Sequence, residues 1–274
     1  MTELHKDLPQ QVTDVAEAFS RQSGVYDEYE VENENLKRVR DEIYAHFLTL
    51  IDPGDKILEV NAGTGTDAVV LAERGYRVHA TDVAAGMVVE IDKKVSAEGL
   101  QTKITTQVLS FTELEKAEAR PFQACFSNIG GLNCIPDLMV FAEQLPHALS
   151  AGAVVTMVIM PPLCPWEWLE VFRGRLGVAL RRWKRGGAVV SPKGIPYRIY
   201  YHSPRHVNAA LKGKFRLVKQ QSISLFSPPM DRKQFSKRHS TLYRILVSLD
   251  NRLSSVFPFN QLGDFIVYSF RYEP

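Results

Sequence analysis

The chain has 274 residues, 45% of them hydrophobic and 23% charged, enough to bury a full core without disulfide or metal staples; this excludes the disordered, collagen-like and disulfide-scaffold classes. The formal net charge is only +2, but residues 1–170 carry 13 Lys and Arg against 27 Asp and Glu, whereas 171–230 carry 13 Lys and Arg and no acid. Such asymmetry suggests that two parts of the chain face different partners, the basic one favouring something anionic.

Three cysteines, Cys125, Cys134 and Cys164, lack the paired spacing of a zinc or redox site and read as reduced thiols of a cytoplasmic protein. The opening MTELHKDLPQQVTDV has no apolar stretch, and no later segment reaches the ~18 apolar residues of a membrane span, so a soluble, unprocessed chain is expected.

In chain order, NENLKRVRDEIYAHFLTLI (33–51) repeats its apolar residues at helical spacing, and Asp52-Pro53-Gly54-Asp55 ends the pattern. KILEVNAG (56–63) reads as a strand running into glycine. A helix over 65–75, a strand over 76–82, a helix over 84–97 and a strand over 104–111 follow. After a short acidic connection come a strand (122–129), a helix (137–149) and the apolar strand AVVTMVIM (153–160). This alternation predicts right-handed βαβ crossovers and an α/β fold with a largely parallel sheet covered on both faces. Pro161, Pro162 and Pro165 break the rhythm. Two further strands, 215–226 and 264–273, flank a helical segment around 240–256.

The informative run is Glu59-Val60-Asn61-Ala62-Gly63-Thr64-Gly65, with Asp82 ending the next strand. Glycines at the first strand-to-helix turn let the backbone approach a ligand, and an acid at the second strand's tip can accept both hydroxyls of a ribose. The run Gly63 to Ala68 also fits G-x-G-x-x-A, which keeps a dinucleotide in view. Glu59 argues otherwise: an anion there repels a pyrophosphate but suits the ammonium of a methionine moiety.

On these residues, on ATDVAAGMV (80–88) and on SNIGGLNCI (127–135), the chain resembles the class I S-adenosylmethionine-dependent methyltransferases, more loosely over 20–274. The resemblance implies a Rossmann-like α/β fold with a mostly parallel seven-stranded sheet, helices on both faces, a helical N-terminal cover (1–52) and an inserted basic cap (161–204) in a single domain 1–274. It implies S-adenosylmethionine as cofactor, with Asn61, Ala62, Gly63, Thr64 and Gly65 in the glycine turn. Asp82 would hold the ribose, Val83 would pack on the adenine and Met87 would line the same pocket. Ser127, Asn128 and Ile129 would border the transferable methyl. Ser110 and Phe111 stand where the family often has an acid for the adenine amino group, and Gln123-Ala124 replaces an aspartate usual near the fourth strand's start. Phe19 and the Tyr26–Tyr29 segment resemble an aromatic region that folds over the cofactor.

On the acceptor side, displacement at a sulfonium needs alignment more than a metal or covalent residue, so no metal is expected. His202, His206, Tyr197, Tyr200 and Tyr201 are the candidate bases, with no ground to choose among them. Within 166–185 the residues Trp168, Leu169, Phe172, Leu176, Ala179, Leu180 and Trp183 fall on one helical stripe, with Arg173, Arg175, Arg181, Arg182, Lys184 and Arg185 elsewhere. One amphipathic helix packed as core or lid is expected; peripheral membrane contact or a partner helix is the alternative. The expected acceptor is small or lipid-like and anionic. Nucleic acid is disfavoured because SNIG replaces the [DNS]-P-P-[YF] of base-amino methyltransferases, although an RNA methyltransferase and a non-catalytic S-adenosylmethionine-binding module stay as alternatives.

Overall fold

The computed structural model describes residues 8–274 except Glu30, Glu32 and Arg185. The opening residues 1–7 and the Arg185 cation therefore lie outside the described residues.

The central strands β1 (Lys56–Val60), β2 (Arg77–Asp82), β3 (Ile104–Val108), β4 (Phe122–Ser127) and β5 (Leu149–Ile159) are parallel. β9 (Phe265–Tyr272) runs antiparallel between β5 and β8 (Phe215–Ile223), closing a seven-stranded sheet of order β3-β2-β1-β4-β5-β9-β8. The apolar runs of these strands suit a sheet buried on both faces, because successive side chains point to opposite sides. Leu58, Val60, Phe122 and Tyr268 join one core layer; Ile57, Phe126, Val78 and Val267 join the other. In the second layer Phe47 stacks on Phe126 with ring centroids 4.6 Å apart.

Strand order reverses between β1 and its neighbours β2 and β4, and the crevice outside the carboxyl ends at such a switch point is where open α/β sheets bind ligands. Among the described residues two α-helices precede the sheet: α1 (Leu8–Tyr26) and α2 (Glu34–Leu48), the latter capped by Asn33, whose side chain accepts from Leu36 N at 3.1 Å. The connecting helices are α3 (Thr66–Glu73), α4 (Ala85–Ala97) and α5 (Met139–Ala148).

The cap departs from expectation. Instead of one helix over 166–185 there are short pieces: α6 (Pro165–Trp168), a 3-10 turn (Leu169–Arg173), α7 (Leu176–Ala179) and another 3-10 turn (Arg181–Trp183). Gly174, at φ +72°, breaks the run, and of the expected stripe only Ala179 is buried. The charged residues dock the cap instead. Arg182 is buried and donates to Glu167 (2.7 Å) and to Asp264 (2.6 Å), while Arg181 forks onto Glu167. A two-stranded hairpin, β6 (Ala188–Val190) with β7 (Tyr197–Ile199), follows and packs on α1.

Candidate cofactor and acceptor cavity

A cavity of about 290 Å³ opens at the switch point, floored by the tips of β1, β2 and β4 and roofed by α1 and β7. Its floor begins with the glycine turn. Asn61, Gly63 and Gly65 have φ of +49°, +57° and +80°, values open to glycine and tolerated by asparagine. A Cβ on Gly65 would lie 2.9 Å from Ile91 Cγ2, so this glycine is also required for α4 to pack.

Asp82 ends β2 and reaches across to the turn. One carboxylate oxygen accepts the Gly63 N–H at 2.9 Å and the other accepts the Ala84 N–H at 2.8 Å. Burial raises its pKa to about 6, against the lowering effect of these N–H groups. Val83, Ser110 and Phe111 continue the wall on this side.

The tip of β4 is wired to β1. Ser127 Oγ donates to Asn61 Oδ1 at 2.8 Å, and Asn128 Nδ2 donates to Asp67 Oδ2 at 3.0 Å. Asp67 also accepts from Arg40 and from the Tyr44 hydroxyl, forming a buried network under the cavity. Asn128 and Ile129 line the cavity, as do Asn61, Ala62, Gly63 and Thr64. Glu59, Gly65, Met87 and Ser127 lie behind the wall. Met87 is fully buried, because α4 turns it into the core.

Glu59 is 1% exposed, and its Oε2 has no hydrogen-bond partner. Burial, with Asp67 and Asp82 nearby, holds its carboxyl well above the usual range, while Arg40 acts in the opposite sense. An orphaned buried acceptor beneath a glycine turn fits a cationic donor better than a pyrophosphate.

The roof is aromatic and apolar. Phe19 and Tyr26 of α1 face each other at 6.2 Å, and Phe19 meets Tyr197 of β7 at 5.6 Å. Val12 and Val15 complete this side. The far end is closed by Met160, Met230 and Phe265. Asn33 and Asn35 at the start of α2 donate to the carbonyls of Met230 and Arg232, which fixes the loop that carries Met230.

Of the candidate bases only Tyr197 reaches the cavity, and burial pushes its phenol well up, away from the range of a general base. Tyr200, Tyr201, His202 and His206 line a separate cleft with Lys184 and Ser203, because the chain after β7 turns away from the sheet's carboxyl edge. The two imidazoles stack there at 5.1 Å, and burial lowers His202 to about 4. Among the described residues lining this cavity Arg40 is the one Lys or Arg, and it serves Asp67; the cations of 171–230 lie outside its wall.

The sequence reading missed Asp67 and Arg40, which carry no motif of their own. The helical cover expected over 1–52 contains α1, whose bounds were not read although Val12, Val15 and Phe19 stand at helical spacing.

Comparisons with known proteins agree with this geometry. The methyltransferase domain family matches residues 57–152. A Drosophila melanogaster protein named "Probable dimethyladenosine transferase" is 33% identical over 75 residues, and the match spans 27% of this chain and 24% of that relative. Among solved structures, the CcbJ methyltransferase from Streptomyces caelestis has a TM-score of 0.61 at 14% identity, covering 92% of this chain and 96% of that one. The 1,6-didemethyltoxoflavin-N1-methyltransferase of Burkholderia thailandensis, solved with its substrate and S-adenosylhomocysteine, has a TM-score of 0.56 at 15% identity, covering 100% and 92%. These likenesses carry the fold, and the matched region runs from β1 through β4, with the glycine turn and Asp82, and ends at the start of β5. Residues 57–152 thus match a methyltransferase domain, and the chain as a whole shares the Rossmann-like fold of the solved methyltransferases.

Proposed function

We propose that the chain transfers a methyl group to a small, largely apolar acceptor, with residues 1–52 as cover and 161–204 as cap of one domain. S-adenosylmethionine supplies the methyl from a sulfonium with a good leaving group. Asp82 would accept the ribose hydroxyls, Val83 and Phe111 would flank the base, and Asn128 and Ile129 would border the reacting end. The observation that carries this reading is one continuous cavity: the Asp82–glycine turn at one end, and Phe19, Ile135, Met160, Tyr197 and Phe265 at the other.

Such a wall excludes water and orients a hydrophobic body through shape, with few polar anchors. At the acceptor end, away from Asp82, two acids among the described residues are held protonated near neutral pH: the Tyr197 phenol is pushed up by burial, and the Cys134 thiol is raised to about 12. The acceptor would therefore enter already nucleophilic, as an unprotonated amine, a thiolate or an acidic enol, and rate would come from alignment. The test is production of S-adenosylhomocysteine from a panel of neutral aromatic and aliphatic amines, thiols and enols beside RNA. Turnover confined to small acceptors supports the proposal; turnover on RNA alone contradicts it.

A further inference from the structure

The cap turns its chemistry inside out. Over 165–185 the sequence has six cations and two carboxylates, Glu167 and Glu170, and both carboxylates are buried. Glu167 takes Arg181 and Arg182, and Glu170 takes Arg173, Arg175 and Arg232. With the acids drawn inward, the outer side is left to Trp168, Leu169, Phe172, Leu176, Leu180 and Trp183, all exposed, Phe172 to 87%. Trp168 and Trp183 meet edge to face at 6.2 Å, so the two ends of the cap form one patch.

Exposed cations stand beside this patch. Arg173, Arg175 and Lys184 are exposed on the cap itself. Trp166 packs edge-on against Phe235 at 5.5 Å, which brings the exposed Lys237 and Arg238 alongside. In sequence the exposed acids flanking the cap are Glu143 before it and Asp231 after it.

We propose that this face docks on an anionic lipid surface. Exposed aromatic and aliphatic side chains beside cations suit the boundary between acyl chains and anionic headgroups, where Trp is favoured and each cation adds attraction. No described helix is long and apolar enough to cross a membrane, so the contact is one of surface docking. Beneath the cap a second cavity shares Met160, Met230 and Phe265 with the cofactor cavity, so the docked face adjoins the acceptor's end. The docking itself does not rest on the methyl-transfer reading.

The test is co-sedimentation of the full chain with vesicles of phosphatidylcholine alone or with a quarter of phosphatidylglycerol. Binding is expected to the mixed vesicles, to weaken steeply between about 0.05 and about 0.5 M salt, and to fall at least about tenfold in the double variant Phe172→Ala/Trp183→Ala. Both side chains are exposed, so unchanged thermal unfolding certifies that variant; Lys184→Glu, which leaves the apolar patch intact, should weaken binding too. Absence of vesicle binding by the parent, or equal binding to neutral vesicles, would overturn the proposal. So would a concentration-dependent dimer of the parent that the double variant loses, which would make the face an interface between copies.

Discussion

Asp82 accepts the backbone N–H of Gly63 at 2.9 Å, so the tip of β2 holds the turn that follows β1 in place. The same carboxylate oxygens are the acceptors a ribose would need. Replacing Asp82 by Ala therefore removes both the acceptor and a support of the turn, and S-adenosylmethionine binding is expected to weaken by roughly 1.5–3 kcal/mol. Calorimetry on the folded variant checks this; unchanged affinity would remove Asp82 from the site.

A pH dependence follows from the same group. Its pKa in the fold, about 6, lies above the ordinary 3.8, so the ionised form is disfavoured and the empty protein loses stability as pH rises from about 4 to about 6. Ribose hydroxyls donate to the ionised form. Cofactor affinity is thus expected to fall as pH drops below about 6, by up to about tenfold per unit, the limit for one proton. A flat affinity profile from pH 7 to pH 5 would refute this.

Gly65→Ala is expected to destabilise the protein by about 1–3 kcal/mol, because a Cβ meets Ile91 at 2.9 Å on a backbone with φ +80°. Thermal unfolding measures it. The outcome that would contradict the argument is a variant of unchanged Tm.

Arg182→Gln tests the cap's anchor. The guanidinium is buried against Glu167 and Asp264 and also donates to the carbonyls of Pro161 and Asp264. Its loss leaves a buried carboxylate unpaired and should cost about 3–5 kcal/mol in denaturant unfolding. A cost under about 1 kcal/mol would mean that this residue holds nothing together.

Gly86→Ala separates the cover from the core. A Cβ there would lie 2.8 Å from the Ser20 carbonyl oxygen of α1, a contact only backbone movement relieves. Displacement of α1 carries Phe19 and Tyr26 with it, so faster cofactor release is expected by stopped-flow, with little change in association. An unaltered release rate would show that α1 does not retain the ligand.

The sheet was legible because its signals are local: Ile57, Leu58 and Val60, then Phe122, Ala124, Cys125 and Phe126, concentrate apolar side chains in short runs, and Gly63, Gly65 and Asp82 sit where turn chemistry demands them. The expected strands 104–111 and 122–129 overran because their last residues leave the ladder to form the cavity wall, as Ser110, Phe111, Asn128 and Ile129 do. The cap was misread because periodicity reports a stripe without saying which side is inward. Burial of Glu167 and Glu170 decides that, and it depends on Arg232 and Asp264, distant in sequence. Likewise nothing local marks Arg40 or Asp67, whose pairing spans α2 and α3 and exists only once the two helices are brought together by the fold. His202 and His206 looked catalytic by composition, and only the path of the chain after β7 removes them from the cavity.

The most direct measurement is titration calorimetry of the purified chain with S-adenosylmethionine, S-adenosylhomocysteine and NAD in parallel. A cavity built on the glycine turn and Asp82, with the buried Glu59 behind its wall, predicts saturable one-to-one binding of both adenosyl ligands, weakened in Asp82→Ala, and no saturable binding of NAD. Folded protein that ignores both adenosyl ligands, or that saturates with micromolar NAD, would contradict the account.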